Sequence, residues 1–419
     1  MQNIKKIAIK STLAIAACCA IAFPMLGFTK DEVITIGLIV PLEGALALSG
    51  QDAVRGTELA VDEVNGKIGN KKIIIIKESS NGKPDVALAK AKKLIEQDKV
   101  DFIIGPLAGG EGLAIKEYAK TMPDKTFVQG TSAAQELTLK DPAPNIFRFT
   151  GDGAQWQAGL GSYAYDVKKY KKVISIGDDY AFPYSQVAGF VSEFCPRGGR
   201  IVKRFWAPLG TKDYSAIISQ IPDDIDAIYL LVAGADAVNF FSQYQQAGGQ
   251  LPIIAGTATV DRNVLSTKGS FKKQTLGAIT AGPISESNPD PRWSALVKAY
   301  QKKFPDGFGS PSFNAMSYYI NTKSALAALT QVSGDLSNSQ KKFRDAMQNL
   351  KMQSAMGQIE LDGNRQGVVD TFVSEVSEGP DGNLYLKMIS KKRVIQTLGL
   401  PKDEFIAKVP AGRDSPVCQ

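Results

Sequence analysis

Short apolar runs alternate with amphipathic stretches along most of this chain. "VITIGLIV" at 33–40, "KIIIIK" at 72–77, "DFIIG" at 101–105 and "TFVQG" at 126–130 have the length and content of buried strands. Between them, apolar positions recur at helical spacing over 53–65, 84–96 and 111–120. In the first of these, Val54, Leu59, Ala60 and Val64 share one face, while Arg55, Glu58, Asp62 and Glu63 mostly face water. The alternation then repeats. Strands are predicted at "KVISIG" (172–177), "RIVKRFW" (200–206), "DAIYLLV" (226–232) and "PIIAG" (252–256), with helices over 183–194, 214–221 and 235–247. Such alternation gives parallel sheets with helices on both faces, so the pattern predicts an α/β protein built from two successive doubly wound units. Units of this kind bind ligands beyond the C-terminal ends of their strands.

After about residue 275 the pattern changes. A strand-like "GAITAGP" leads into helices over 291–304, 312–331 and 339–350, then into a strand pair, "GQIELD" and "VVDTFVSEV". Asp362-Gly363-Asn364 and Asp381-Gly382-Asn383 are hairpin-turn sequences. This closing section is too long for a tail and too short for a third domain.

Of the 419 residues, 44% are hydrophobic and 22% charged, a globular balance with material for two domains. Lys5, Lys6 and Lys10 stand ahead of the small apolar run "STLAIAACCAIA", and Ala20-Ile21-Ala22 has the form of a leader-peptidase site. Residues 1–22 are therefore expected to be a signal peptide, and the protein periplasmic. A rival cut, at the lipobox-like Ile15-Ala16-Ala17-Cys18, would leave Cys18 as a lipidated first residue, but the apolar "AIAFPMLGF" that follows suits a signal peptide better than a polar tether. The run is also short of the ~20 apolar residues that span a membrane.

Without those 22 residues, 46 basic and 42 acidic residues remain, a net +4, and no basic block with interleaved aromatics marks a nucleic-acid partner. Cys195 and Cys418 are left as an even pair in an oxidising compartment, either one disulfide fastening the C-terminal tail or two buried thiols. The chain has no His, which excludes His-based triads, imidazole acid–base work and His-ligated zinc. No spacing singles out a metal site, a cofactor, or a Ser-Lys or paired-carboxylate enzyme.

The turn "IIGPLAGGEG" at 103–112 has the Gly105 and Gly110 spacing of a phosphate loop, but Glu111 and Gly112 stand where Lys and Ser or Thr should hold the phosphates and magnesium. A different anion fits better. Gly109 and Gly110 leave backbone N–H groups uncovered at the start of the helix near Glu111, where the helix dipole favours negative charge. Thr131 and Ser132, at the next strand end, add hydroxyl donors. The plain alternative is that the glycines only make the turn and Thr-Ser caps a helix.

Several stretches, taken in order, resemble the periplasmic substrate-binding proteins of ABC importers, of the branched-chain amino acid binding type. They are "ITIGLIVPLEG" (34–44), "GTELAVDEVNGKIGNKKI" (56–73), "FIIGPL" (102–107), "TSAAQELT" (131–138), "IFRFTGDG" (146–153), "ISIGDDYAFPYS" (174–185) and "MGQIELDGNRQG" (356–367). The resemblance spans nearly the whole mature chain. It implies two doubly wound parallel-sheet lobes joined by three crossover strands, with the ligand cleft between them. By that analogy lobe 1 combines 33–150 with 277–355, and lobe 2 combines 151–276 with 356–395. Residues 396–419 would be a C-terminal tail, and the crossings would fall near 149–151, 277–281 and 356–358.

The resemblance also implies that a ligand carboxylate sits in the first lobe against the turns supplying Gly109, Gly110, Thr131, Ser132 and Ala133. In the second lobe this sequence departs from amino-acid binders. Thr257-Ala258-Thr259 stands where an acid would meet the ligand's ammonium, and Ala233 stands where an aromatic is expected. A buried ammonium without a counter-charge costs several kcal/mol, so a standard amino acid is disfavoured. Phe182, flanked by Tyr180 and Tyr184, takes the aromatic position. Trp156 follows the first crossing, against the ligand or in the core. Arg148 and Glu43 map close to the cleft, unless Arg148 pairs within the hinge and Glu43 is solvated.

The expected protein is thus a monomeric, non-enzymatic receptor without cofactor. It captures a small carboxylate, aromatic or branched and apolar, and delivers it to a membrane-embedded ABC permease. The alternatives are an amide or urea-like ligand, or a sensor of the same fold without transport. Asp178, Asp179, Asp236 and Asp261 are expected to be solvated surface acids rather than a catalytic pair across the cleft.

Overall fold

The structure is a computed structural model that describes residues 32–267, 271–414 and 418; the expected signal peptide and the rival lipidated Cys18 lie outside the described residues. Strands β1 (Val33–Val40), β2 (Lys67–Ile68), β3 (Lys71–Ser79), β4 (Phe102–Ile104), β5 (Thr126–Val128) and β6 (Ile146–Phe147) form one sheet in the order β2-β3-β1-β4-β5-β6. Every neighbouring pair is parallel except β2 with β3. The two-residue period of a strand explains why both faces are covered. Ile34, Ile36, Leu38, Phe102, Ile104 and Val128 point into one core, whereas Ile39, Ile103, Phe127 and Ile146 point into another on the opposite face. Each such side chain contributes ~1.5–3 kcal/mol on burial.

The second sheet repeats the design with β7 (Lys172–Asp178), β8 (Arg200–Ala207), β9 (Ala227–Leu231), β10 (Ile253–Ala255) and β11 (Ile279–Gly282), all in parallel pairs. Its far side is antiparallel, made by β12 (Met352–Ser354), β13 (Gly357–Leu361), β14 (Gly367–Glu378) and β15 (Leu384–Val394). The molecule is therefore α/β with two lobes, each built on a parallel-dominated sheet.

The late helices belong to the first lobe. Pro291–Lys303 places Trp293, Leu296 and Tyr300 in its core, and Phe313–Gln331 is buried along most of its length. Gly56 lets the helix Ala47–Asp62 lie directly on the backbone of Ala315, where any Cβ would overlap. Ser312 starts the buried helix by accepting from Ala315 N–H at 3.2 Å. The chain thus crosses between lobes near 148–151, between 282 and 291, and between 348 and 367. The second crossing, expected near 277–281, falls later, because Ile279–Gly282 is a strand of the second sheet.

Arg148 organises the first crossing. It is fully buried and donates from Nη1 to the carbonyls of Ser132 (3.0 Å) and Ala134 (2.8 Å), from Nη2 to Thr138 Oγ1 (3.0 Å) and from Nε to Gln366 Oε1 (2.5 Å). One side chain so fixes the turn after β5 to two crossing segments. The C-terminal tail lies over the same side. Phe405 and Val409 pack on Leu139, Ala154 and Ala188, and Gln135 Nε2 donates to the Val409 carbonyl at 3.0 Å. Further on, Trp206 Nε1 donates to the Arg413 carbonyl at 2.9 Å. Cys195 and Cys418 are disulfide-bonded, with Cα atoms 5.4 Å apart. No helix among the described residues is long and apolar enough to cross a membrane.

Candidate functional site

The C-terminal ends of strands from both sheets meet at one cavity between the lobes. From the first lobe come Leu46 and Ser49 after β1, Leu107 after β4 and Thr131 after β5; from the second come Tyr180 and Phe182 after β7, Ala233 after β9 and Ala258 after β10. Phe313 and Asn314, the first residues of the long buried helix, complete the lining. The enclosed space is about 20 Å3, room for about one water. A wider pocket of about 630 Å3 opens outside it, bordered by Glu43, Lys83, Gly110, Asp179 and Leu209, with Tyr180 common to both.

Two phenyl rings define the shape. Phe182 and Phe313 come from opposite lobes and lie nearly parallel, 20° apart, with centroids 6.5 Å from each other. Trp156 stands behind them and meets both edge-on at 5.8 Å, holding their orientation. A planar ligand body fits between the rings only after they part.

Thr131, Phe182, Ala233 and Ala258, expected at the site, do come together in the lining. Gly110 borders the outer pocket, while Gly109 lies so close under Phe182 that a Cβ would stand 3.1 Å from its backbone nitrogen. Ser132 and Ala133 are buried in the adjoining turn, with the Ala133 carbonyl accepting from Gly153 N–H at 2.8 Å. Arg148 serves the hinge. Glu111 folds back to accept from Ala108 N–H at 2.8 Å, and burial pushes its carboxyl up to about 7.

The second-lobe wall carries no charge. Thr257 turns inward, donating to the Ala281 carbonyl at 2.7 Å, and Thr259 donates to the Leu230 carbonyl at 2.9 Å, so the triplet presents Ala258 alone. Of the aspartates expected to be solvated, three are instead buried: Asp178, Asp236 and Asp261. They serve as backbone acceptors. Asp178 Oδ2 takes Ala233 N–H at 3.1 Å, and Asp236 Oδ2 takes Gly210 N–H at 2.6 Å. Burial raises Asp178 well above the usual range and Asp236 to about 6, and none of the three lines the cavity. Asp179 stays at the rim, paired with Arg413 and Tyr184.

Several hydrogen bonds among the described residues join the two lobes, including Gln135 N–H to Ser185 Oγ at 3.1 Å. Asn263 Nδ2 donates to Ser49 Oγ at 2.9 Å, Phe313 N–H donates to Asp261 Oδ1 at 3.0 Å, and Ala235 N–H donates to the Ala45 carbonyl at 3.3 Å. Gly234, at φ +56°, makes the last approach possible. Phe313 and Asn314 were not expected from the sequence because they lie about 180 residues beyond Thr131, the last of the other first-lobe contacts; the helix cap at Ser312 was the available signal.

Residues 33–381 match the model of a family described as periplasmic binding protein. A Leu/Ile/Val-binding protein homolog from Brucella melitensis is 23% identical over 394 residues, covering 92% of this chain and 96% of that protein. A solute binding protein of an ABC transporter from Rhodopseudomonas palustris, solved with 3,4-dihydroxybenzoic acid, is 26% identical with a TM-score of 0.79, over 86% of this chain and 98% of that one. Another R. palustris solute binding protein, solved with benzoate, is 22% identical with a TM-score of 0.77 and the same coverage.

Proposed function

The chain belongs to the periplasmic binding protein family, and from that premise we propose that it captures a small carboxylate with an aromatic or branched apolar body and delivers it to an ABC permease. The observation that carries this reading is the lining itself: aromatic and aliphatic walls, hydroxyl and amide groups, and no charged side chain to hold an ammonium. Thr131 offers the carboxylate a donor from its hydroxyl, whose Oγ1 has no partner within the protein. The parallel Phe182 and Phe313 rings suit a flat body. The R. palustris protein solved with 3,4-dihydroxybenzoic acid supports the same class.

Capture would proceed by the two lobes, joined at the three crossings, parting to admit the ligand and closing over it. Closure removes water from the carboxylate and creates the surface a permease distinguishes from the open form. Export to the periplasm through residues 1–22 belongs to this reading.

The test is a thermal-shift and calorimetric comparison of benzoates, branched-chain keto acids, leucine and benzamide, since a ligand that binds only the folded form raises the melting temperature. The expected result is stabilisation by the carboxylates and not by leucine, with Thr131→Val weakening binding by ~1–3 kcal/mol. The Brucella relative's name makes leucine the informative rival. Stabilisation by leucine alone would overturn the carboxylate reading, and stabilisation by benzamide alone would replace it with an amide.

A further inference from the structure

Two polar atoms of the inner cavity have no partner within the protein, and they differ in what they can do. Thr131 Oγ1 belongs to a hydroxyl, which can donate; Asn314 Oδ1 is an amide oxygen, which can only accept. Their residues are 4% and 2% exposed, so apart from the one water the cavity can hold, only a ligand can serve them in the closed form. Ser49, the third small polar residue of the lining, is already engaged by Asn263. Asn314 lines the same cavity as Phe182 and Phe313, the ring pair that would hold a flat ligand.

A carboxylate can accept from Thr131, and from the Asn314 Nδ2 group, but it cannot serve Asn314 Oδ1, because it has no proton to donate. Resting on the reading of this cavity as a carboxylate site, we infer that Asn314 is a specificity-determining residue that accepts a hydrogen bond from a phenolic hydroxyl, so that the cleft selects hydroxylated aromatic acids over unsubstituted ones. A site organised around an acceptor discriminates against the analogue lacking the donor, since the acceptor then remains buried and unpaired.

The test is calorimetric titration of the mature chain with benzoate, 3-hydroxybenzoate, 4-hydroxybenzoate and 3,4-dihydroxybenzoate. At least one hydroxylated acid should bind about tenfold or more tightly than benzoate. Asn314→Leu keeps the branching at Cγ and removes the acceptor; it should erase that preference, weakening the hydroxylated acids by more than it changes benzoate. Asn314→Ala, compared by melting curve, provides the same readout if the larger side chain disturbs the helix start. Wild-type protein that binds benzoate as tightly as every hydroxylated acid overturns the inference whatever the variants do. So does a variant that weakens all four acids by one common factor, which would make Asn314 a structural residue. Either result leaves the carboxylate reading standing, whereas binding of leucine with none of the four acids removes both.

Discussion

Asp261 reaches from the second lobe to the first turn of a first-lobe helix, and its buried carboxyl is pushed up to about 7 from an ordinary 3.8, chiefly by desolvation. The Phe313 and Arg262 backbone N–H groups partly offset this, while Asp52 and Glu286 add like charge. When the lobes part, water returns and the carboxyl reverts toward its ordinary value. Because the closed form holds the proton more tightly, Asp261 favours closure fully below pH about 3.8 and loses that contribution as pH rises through about 7. Asp261→Asn keeps the acceptor for Phe313 without the charge, so it should flatten the pH dependence of ligand affinity between those limits and bind more tightly than wild type at pH 8. Parallel pH profiles for the two proteins would refute this. At this scale the sequence was legible where chemistry and strand ends coincide, as at Thr131 and Phe182. It was opaque for Asp178, Asp236 and Asp261, because a lone Asp in a turn carries no mark of burial; only the packed fold decides whether it meets water or a backbone N–H.

At the scale of elements, apolar period separates the strands of both sheets cleanly, and observed helix ends lie within a few residues of those predicted except at the first helix, which begins earlier, at Ala47. Short elements such as Leu160–Asp166, Met352–Ser354 and Lys402–Lys408 were not expected, and two further features differ from what the pattern suggests. β15 alternates only through Leu384 and Leu386 before exposing Lys387, Lys391, Lys392 and Arg393, the charged dress of a sheet edge rather than a core strand. The helix Phe313–Gln331 reads as an ordinary amphipathic segment, yet it is buried on nearly every side, because small residues such as Ala315 and Ser317 let neighbouring backbones close on it. The tightest of these approaches is Gly56 on Ala315. Gly56→Ala should cost ~1–3 kcal/mol in urea unfolding, because the added methyl separates two packed helices. An unchanged unfolding midpoint would show that the helix pair has slack.

For the whole molecule, the tail is the element that joins distant parts. It packs on Leu139 of the first lobe and on Ala188 of the second, then ends in the Cys195–Cys418 bond across 223 residues of sequence. Closing so long a loop restricts the unfolded chain, and replacing both cysteines by serine should lower stability by ~2–4 kcal/mol under oxidising conditions while leaving the reduced protein's stability nearly the same. Equal melting curves for the oxidised wild type and the double variant would contradict this.

The smallness of the closed cavity governs timing. A space of about 20 Å3 holds nothing larger than a water, so a ligand can be accommodated only when the lobes stand further apart than this. Capture rate then follows the fraction of molecules open at a given moment, and apparent affinity is reduced in proportion to how rare they are. Residence time is set by how often the lobes separate rather than by any single contact to the ligand. The bonds from Asn263 to Ser49 and from Phe313 to Asp261 must break for the lobes to part, so removing either should speed the release of a bound ligand.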